Sequence, residues 1–290
     1  MTERVALGAL EAPFRGSEAV AAGWVTPAQL RGPALRRVFR DVYVPAWMRL
    51  THELRCDCAG LILPEDAVIT GRSAAVLRGV ALARHDDPVE AVVGLETRLF
   101  RRAGLDVRRC EVAPEEAAPW SRIRLADRRR TAFDLLLDRP LPDAVADLDT
   151  VLRAGLVTQH DMELFMADRH DRGIVAARRG LELADPRAES PPESRMRVHL
   201  VLAGLAPEVQ HEVWHEGCRV ARVDLAFPAH RLAVEYDGKW HGSLLQVGPD
   251  RDRLNRLDAA GWTVVFVTAE LLRDPRRMVC TVRAALSAHI

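Results

Sequence analysis

Between Arg222 and His241 the chain reads R-V-D-L-A-F-P-A-H-R-L-A-V-E-Y-D-G-K-W-H. Asp224, Glu235, Asp237, Lys239 and His241 all fall inside this short stretch. Phosphodiester hydrolysis uses side chains of these types. It needs a divalent ion to neutralise charge on the phosphate and to generate hydroxide. Mg2+ takes hard oxygen ligands, commonly one or two carboxylates with water. Asp224, Glu235 and Asp237 would supply the ligands, with Mg2+ or Mn2+ as the expected ion. Lys239 or His241 would position or deprotonate the attacking water, or stabilise developing charge. Of the 41 basic side chains counted as Lys plus Arg, only Lys239 is a lysine. Lysine is a compact point charge whose pKa responds to burial, which arginine's does not. A rival reading uses the same residues. Acids on apolar strands are costly unless paired or metal-bound. Arg222, Arg231 and Lys239 are possible partners, so a purely structural ion-pair cluster stays open.

The elements around these residues can be read from pattern. V-D-L-A-F and L-A-V-E-Y are short apolar strands joined by a turn containing Pro228. Period-two geometry puts Glu235 and Asp237 on one strand face, and Asp224 reaches it from an adjacent antiparallel strand. Gly238 lets the backbone bend and a phosphate come close. Upstream, S-P-P-E starts a helix with Ser190 as N-cap, Pro191 at the first position and Glu193 completing a capping box. Glu193 is a capping residue or a neighbour of the metal site; both readings are open. E-V-Q-H-E-V-W-H and R-V-A-R-V-D-L-A-F form a hairpin. P-D-R-D-R-L-N-R-L-D-A-A is a helix closed by Gly261, W-T-V-V-F-V-T is a buried strand, and the rest is helical. The order α-β-β-β-α-β-α predicts a mixed sheet flanked by helices. Arg251, Asp252 and Arg256 are supporting candidates on one helix, although an Asp252 to Arg256 salt bridge would account for two of them.

With D…E-x-D-G-K-x-H set on neighbouring strands, residues 186–290 resemble the PD-(D/E)xK nuclease superfamily. The closest branch is the very-short-patch-repair-like one. Val223-Asp224, Glu235-Tyr236-Asp237-Gly238, His241 and Arg251-Asp252-Arg253 with Arg256 carry the likeness. It implies a restriction-endonuclease-like fold and a metal-dependent endodeoxyribonuclease. One departure stands out. The superfamily's lysine lies two residues after the glutamate, where this chain has Asp237; Lys239 is two residues further on.

The rest of the chain sets the context. With 290 residues, 48% hydrophobic and 28% charged, it has the composition of a globular protein with two or three cores. The formal net charge is zero, so nucleic-acid binding must come from local patches. Five scattered cysteines, with Cys56-Asp57-Cys58 as the only close pair, argue for reduced thiols rather than a zinc site. No apolar run is long enough to span a membrane, and the first residues do not read as a secretory signal, so a cytoplasmic protein is expected. Residues 1–50 read as helix, turn, helix and an Arg-rich ribbon, with Thr26 capping the second helix and Pro27 at its first position. That is a winged-helix layout. Arg31, Arg36, Arg37 and Arg40 are its expected DNA-backbone contacts. Residues 51–185 read as a middle α/β region, with Thr131 placed before one apolar helix and Thr158 capping another. A polar, Pro-rich break suggests a boundary near Pro186. The overall class expected is α/β (α+β), in three domains.

S-E-A-V-A-A-G…L-R-R-V-F-R-D-V-Y-V-P, A-V-I-T-G-R-S-A-A-V-L-R-G-V and R-T-A-F-D-L-L…L-P-D-A-V-A-D-L-D-T-V-L-R-A-G resemble the antitoxin half of AbiE-type abortive-infection systems. That resemblance implies promoter DNA as partner for residues 15–45 and a cognate toxin protein as a second one. It also gives a rival function, a non-enzymatic antitoxin-like transcriptional regulator with a degenerate nuclease fold. Oligomeric state is not legible.

Overall fold

The computed structural model describes residues 11–98, 102–238 and 247–288. Lys239 and His241 lie outside them. The chain forms two compact units, residues 1–135 with 156–167, and residues 136–155 with 168–290. Both mix helices with sheets, so the α/β class holds.

The first unit opens with β1 (Phe14–Arg15), α1 (Gly16–Ala21) and a hairpin of β2 (Leu35–Phe39) and β3 (Val42–Pro45), in sheet order β1-β3-β2. The Arg-rich ribbon is therefore present. The second helix is not: residues 29–31 make a single 3-10 turn. Its capping pair forms as the sequence suggests, with Gln29 N–H on Thr26 Oγ1 at 3.2 Å and Thr26 N–H on Gln29 Oε1 at 2.7 Å. The chain then leaves the helical region at Gly32, which is extended (ψ 168°). Pro33 follows, and a residue preceding proline is driven out of the α region. The start signal is real, but the stop comes one turn later.

Next come α2 (His52–Gly60), capped by Thr51, then β4 (Val68–Ile69), α3 (Gly71–Leu77), β5 (Val89–Val93), β6 (Leu105–Arg109), β7 (Ala117–Trp120), β8 (Ile123–Ala126) and α4 (Arg128–Leu135). The strands form a mixed sheet of order β6-β5-β4-β8-β7. Its valines and isoleucines share one core with Cys56 and Cys58 of α2 and with Phe39, Val42 and Val44 of the ribbon. Residues 1–50 thus do not stand apart from residues 51–135. Burial pushes both thiols up to about 12. Thr131 lies inside α4, not at its start. Asp127 caps instead, accepting from Arg130 N–H at 2.6 Å, while the Thr131 hydroxyl donates to the Asp127 carbonyl at 2.6 Å. After α5 (Leu141–Arg153), which belongs to the second unit, α6 (Gln159–Met166) returns to the first. It is capped by Thr158 and Asp161 as expected, and Phe165 meets Phe133 edge-on at 5.8 Å.

In the second unit α5 packs with α7 (Ile174–Glu182) and α8 (Pro191–Leu202) through Val145, Leu183 and Val198. Arg197 of α8 pairs with buried Asp149 of α5 at 2.8 Å, and Asp149 also accepts from Asp185 N–H at 2.7 Å. These bonds explain why the break near Pro186 is not a domain boundary: helices on both sides of it bury one ion pair. The sheet that follows has β9 (Glu208–His215), β10 (Cys218–Phe227), β11 (Leu232–Asp237) and, after helix α9 (Val247–Ala259), β12 (Thr263–Thr268). Its order is β12-β11-β10-β9, antiparallel except for β11 with β12. Leu232 and Val234 pack with Met196 and Leu200 of α8 and with Met278 and Val282, whereas Ala233 packs with Leu257 and Ala260 beside α9. Short α10 (Ala269–Arg273) precedes α11 (Pro275–Ser287). The expected α-β-β-β-α-β-α order is present, with α10 added. Among the described residues no helix is long and apolar enough to cross a membrane.

Unit one also holds a buried polar network. Arg130, 1% exposed, pairs with Asp134 at 2.9 Å and Glu116 at 2.8 Å, and Asp134 also takes Arg108 and the Thr70 hydroxyl. Removing one member leaves buried charge without its counter-charge. Asp134→Ala is therefore expected to lower unfolding free energy by about 3–5 kcal/mol. Urea denaturation read against wild type checks this; a loss below about 1 kcal/mol contradicts it.

Candidate functional site

The strand pairing itself brings the acids together. β10 and β11 pair Leu225 with Val234 and Ala226 with Ala233, so one further step sets Asp224 opposite Glu235. Asp224 accepts from Tyr236 N–H at 2.9 Å. Glu235 is 7% exposed. Both oxygens of its carboxylate face Arg253 of α9, with Nη1 on Oε2 at 2.8 Å and Nη2 on Oε1. Arg253 Nη2 also donates to the Arg222 carbonyl at 2.9 Å. Glu193 joins from the first turn of α8. Its Oε1 accepts from the Ser190 hydroxyl at 2.6 Å, and its Oε2 from Glu189 N–H at 2.9 Å and Gln210 Nε2 at 2.8 Å. Glu193 is thus a capping residue and a neighbour of the acids at once. Burial pushes the Asp224 carboxyl up to about 6, against 3.8 ordinarily. The Tyr236 N–H opposes this, Glu193 and Glu235 add to it by repulsion, and Arg253 works against it.

Asp237 ends β11, half-buried and level with Thr268 of β12. Among the described residues, no three carboxylate, imidazole or thiol groups close on one point that would hold a metal ion. The donor chemistry nonetheless fits a hard divalent cation. Asp224 and Glu235 carry carboxylate oxygens, the hard ligand type such a cation takes.

The supporting candidates divide. Arg251, Asp252 and Arg256 are exposed on α9, and Arg256 Nε reaches the Asp252 carbonyl at 3.3 Å rather than its carboxylate. The arginine that meets the acids is Arg253. Its signal was present in the sequence: Arg253, Leu257 and Ala260 repeat at i, i+4, i+7, and the last two are buried. Arg222, a candidate partner of the acids, pairs instead with Glu189 at 2.6 Å. Gln210 had no sequence signal. It sits in β9 across from Asp224, between the pairs Val223–His211 and Leu225–Val209, with φ at +52°. A side chain other than glycine seldom adopts that backbone; here it turns the amide toward Glu193.

In the first unit Arg31, Arg36, Arg37 and Arg40 are all exposed. Arg37 and Arg40 line a groove of about 1170 Å³ together with Arg15, Phe39 and Arg102. Arg36 points its Nη2 at the Ala46 carbonyl, 3.4 Å away, and Arg31 ends the 3-10 turn. Arg15 and Arg102 come to the groove from distant positions in the chain, which local charge counting could not show.

No family model matches the chain. It is 30% identical over 271 residues to two proteins named uncharacterized protein MT2308 and uncharacterized protein Rv2248, from two strains of Mycobacterium tuberculosis. The match covers 88% of this chain and 93% of either relative. The crystal structure of RV2827C protein from the same species aligns with a TM-score of 0.41 at 14% identity, over 71% of this chain and 84% of that one.

The raised Asp224 has a consequence for stability. Its folded-state pKa of about 6 lies above the 3.8 of an ordinary aspartate, so the folded state binds the proton more tightly. The stabilising preference for the protonated form is therefore present below pH 3.8 and is lost as pH rises through about 6. Asp224→Asn, whose amide oxygen still accepts from Tyr236, removes that loss. The variant is expected to match wild type near pH 4 and to be more stable near pH 7.5, by on the order of 1–2 kcal/mol after solvent screening. Thermal melts at the two pH values check this; an equal difference at both contradicts it.

Proposed function

We propose, for a chain that belongs to the family of the uncharacterized Mycobacterium tuberculosis protein Rv2248, that the second unit is a metal-dependent endodeoxyribonuclease. The observation that carries this reading is the meeting of Asp224 and Glu235 on paired strands, with Glu193 close enough to raise Asp224 further. Asp224 and Glu235 hold Mg2+ or Mn2+, with Asp237 as third ligand or water organiser. The bound ion supplies charge neutralisation at the phosphate and a nucleophilic hydroxide. Glu193, fixed by Ser190, Glu189 N–H and Gln210, keeps Asp224 facing negative charge and so favours a cation there. Lys239 and His241 stabilise charge or take the water's proton; this part rests on the sequence. DNA is the substrate, and Arg37 and Arg40 of the first unit contact its backbone. The protein acts in the cytoplasm.

One observation favours a second reading. Both Glu235 oxygens are engaged by Arg253, and a carboxylate neutralised in this way suits a fold kept as a scaffold. On that reading the chain is an antitoxin-like regulator that binds promoter DNA and a cognate toxin, and catalyses nothing.

One measurement separates these readings, and a second tests the DNA contact that both share. Purified protein with supercoiled plasmid and Mn2+ is expected to nick DNA, and Asp224→Ala or Glu235→Ala to lower the rate by roughly a hundredfold or more, the kinetic size of several kcal/mol. No cleavage by wild type, or equal cleavage by Asp224→Ala, overturns the enzyme. Arg37→Ala and Arg40→Ala are each expected to weaken DNA binding and to reduce the salt slope of log K by about one. An unchanged slope shows that the groove does not touch phosphate.

A further inference from the structure

Among the described residues, one partner of Glu235 accounts for both of its oxygens. Arg253 presents its guanidinium edge-on, Nη1 to Oε2 at 2.8 Å and Nη2 to Oε1, and Nη2 is steadied by the Arg222 carbonyl at 2.9 Å. A two-pronged pair of this kind is among the stronger protein hydrogen-bonding arrangements, and its planar fork fixes direction as well as charge. A Mg2+ ion takes carboxylate oxygen at about 2.0–2.1 Å and keeps near-octahedral order. Arg253 takes one lone pair on each Glu235 oxygen, and its positive charge at hydrogen-bond distance repels a second cation brought to the same carboxylate.

Resting on the metal-site reading above, we infer that Arg253 is a built-in counter-ion that must leave Glu235 before a divalent ion can bind. Loading is an exchange of one cation for another on a carboxylate that stays charged throughout. No covalent bond changes. Two features let the side chain move without the helix. Leu257 of α9 and Ala260 just past its end are buried and anchor the helix against the sheet. The Arg253 side chain is 31% exposed, so its outward side is open to solvent. Arg253 thereby sets the ion concentration at which the site fills and holds the unloaded acids in a paired, folded arrangement. It is a positioning residue and takes no part in the chemistry.

The test is calorimetric titration of Mn2+ into full-length wild type, Arg253→Met and Arg253→Gln, with thermal melts of each in chelator and in saturating Mn2+. Both variants are expected to bind Mn2+ roughly tenfold more tightly than wild type, the factor that goes with losing one competing pair. They are also expected to melt lower than wild type in chelator and to recover that loss when Mn2+ is added. Binding detected in the variants alone supports the inference as well. Folded variants that bind Mn2+ no better than wild type overturn the role of Arg253 and leave the metal site standing. No Mn2+ binding by any of the three overturns the metal site, and the inference with it. If neither variant folds, the Arg253 side-chain N–H resonance in 15N-arginine-labelled wild type serves instead. It is expected to lose its protection from solvent exchange as Mg2+ saturates the site. Protection that survives saturation overturns the inference.

Discussion

Burial of negative charge within the paired strands β10 and β11 is the constraint on which the second unit depends. Two acids, Asp224 and Glu235, face each other across a strand pair whose other positions are apolar. A third, Glu193, stands near. Charged groups taken out of water are costly unless paired. The surrounding structure supplies three kinds of relief. Tyr236 N–H and the amide of Gln210 donate to the carboxylates, Ser190 and Glu189 N–H fix Glu193 as a helix cap, and Arg253 neutralises Glu235. Asp224 accepts from the Tyr236 N–H, and burial, with repulsion from Glu193 and Glu235, still raises its pKa.

Arginine does comparable work elsewhere. Arg130 with Asp134 on its own helix and with Glu116 in the first unit, and Arg197 with Asp149 of another helix in the second, are buried pairs. In each case the guanidinium also donates to a main-chain carbonyl, that of Glu111 for Arg130 and that of Leu183 for Arg197. Several fixed donors on one delocalised charge suit such positions better than a compact ammonium does. An almost lysine-free chain is consistent with arginine being used as a structural bolt as well as a surface charge. The same choice gives the groove of the first unit its basic lining from Arg15, Arg37, Arg40 and Arg102.

Much of the second unit was legible because its signals are local. The Ser190 cap, the period-two strands and the glycines that end helices act over a few residues and appear where expected, although Glu193 accepts from the Glu189 N–H and not from the Ser190 N–H that a capping box requires. The ribbon of the first unit and the Thr158 cap were legible for the same reason. The misreadings share another cause. Thr26 and Pro27 do begin a helical turn, but the stop imposed by Gly32 and Pro33 follows at once. Thr131 has a capping side chain, yet Asp127 four residues earlier takes the role. A competing local signal won in both cases. The boundary near Pro186 failed differently: the break is polar and Pro-rich, but Asp149 and Arg197 lie on either side of it and are buried against each other.

The sequence by itself determined which residue types stand on the paired strands, the order of elements around them and the face on which Glu235 and Asp237 lie. Those follow from chain periodicity and side-chain chemistry, which are properties of neighbours. Only the tertiary structure decided what each acid meets. Arg253 rather than Arg251, Arg256 or Arg222 reaches Glu235, because the buried stripe through Leu257 and Ala260 fixes the rotation of α9. Gln210 reaches Glu193 because one strand residue adopts a left-handed backbone opposite Asp224. The choice of counter-ion depends on how a helix docks on a sheet, and docking is set by the whole apolar interface rather than by the residues that flank the acids.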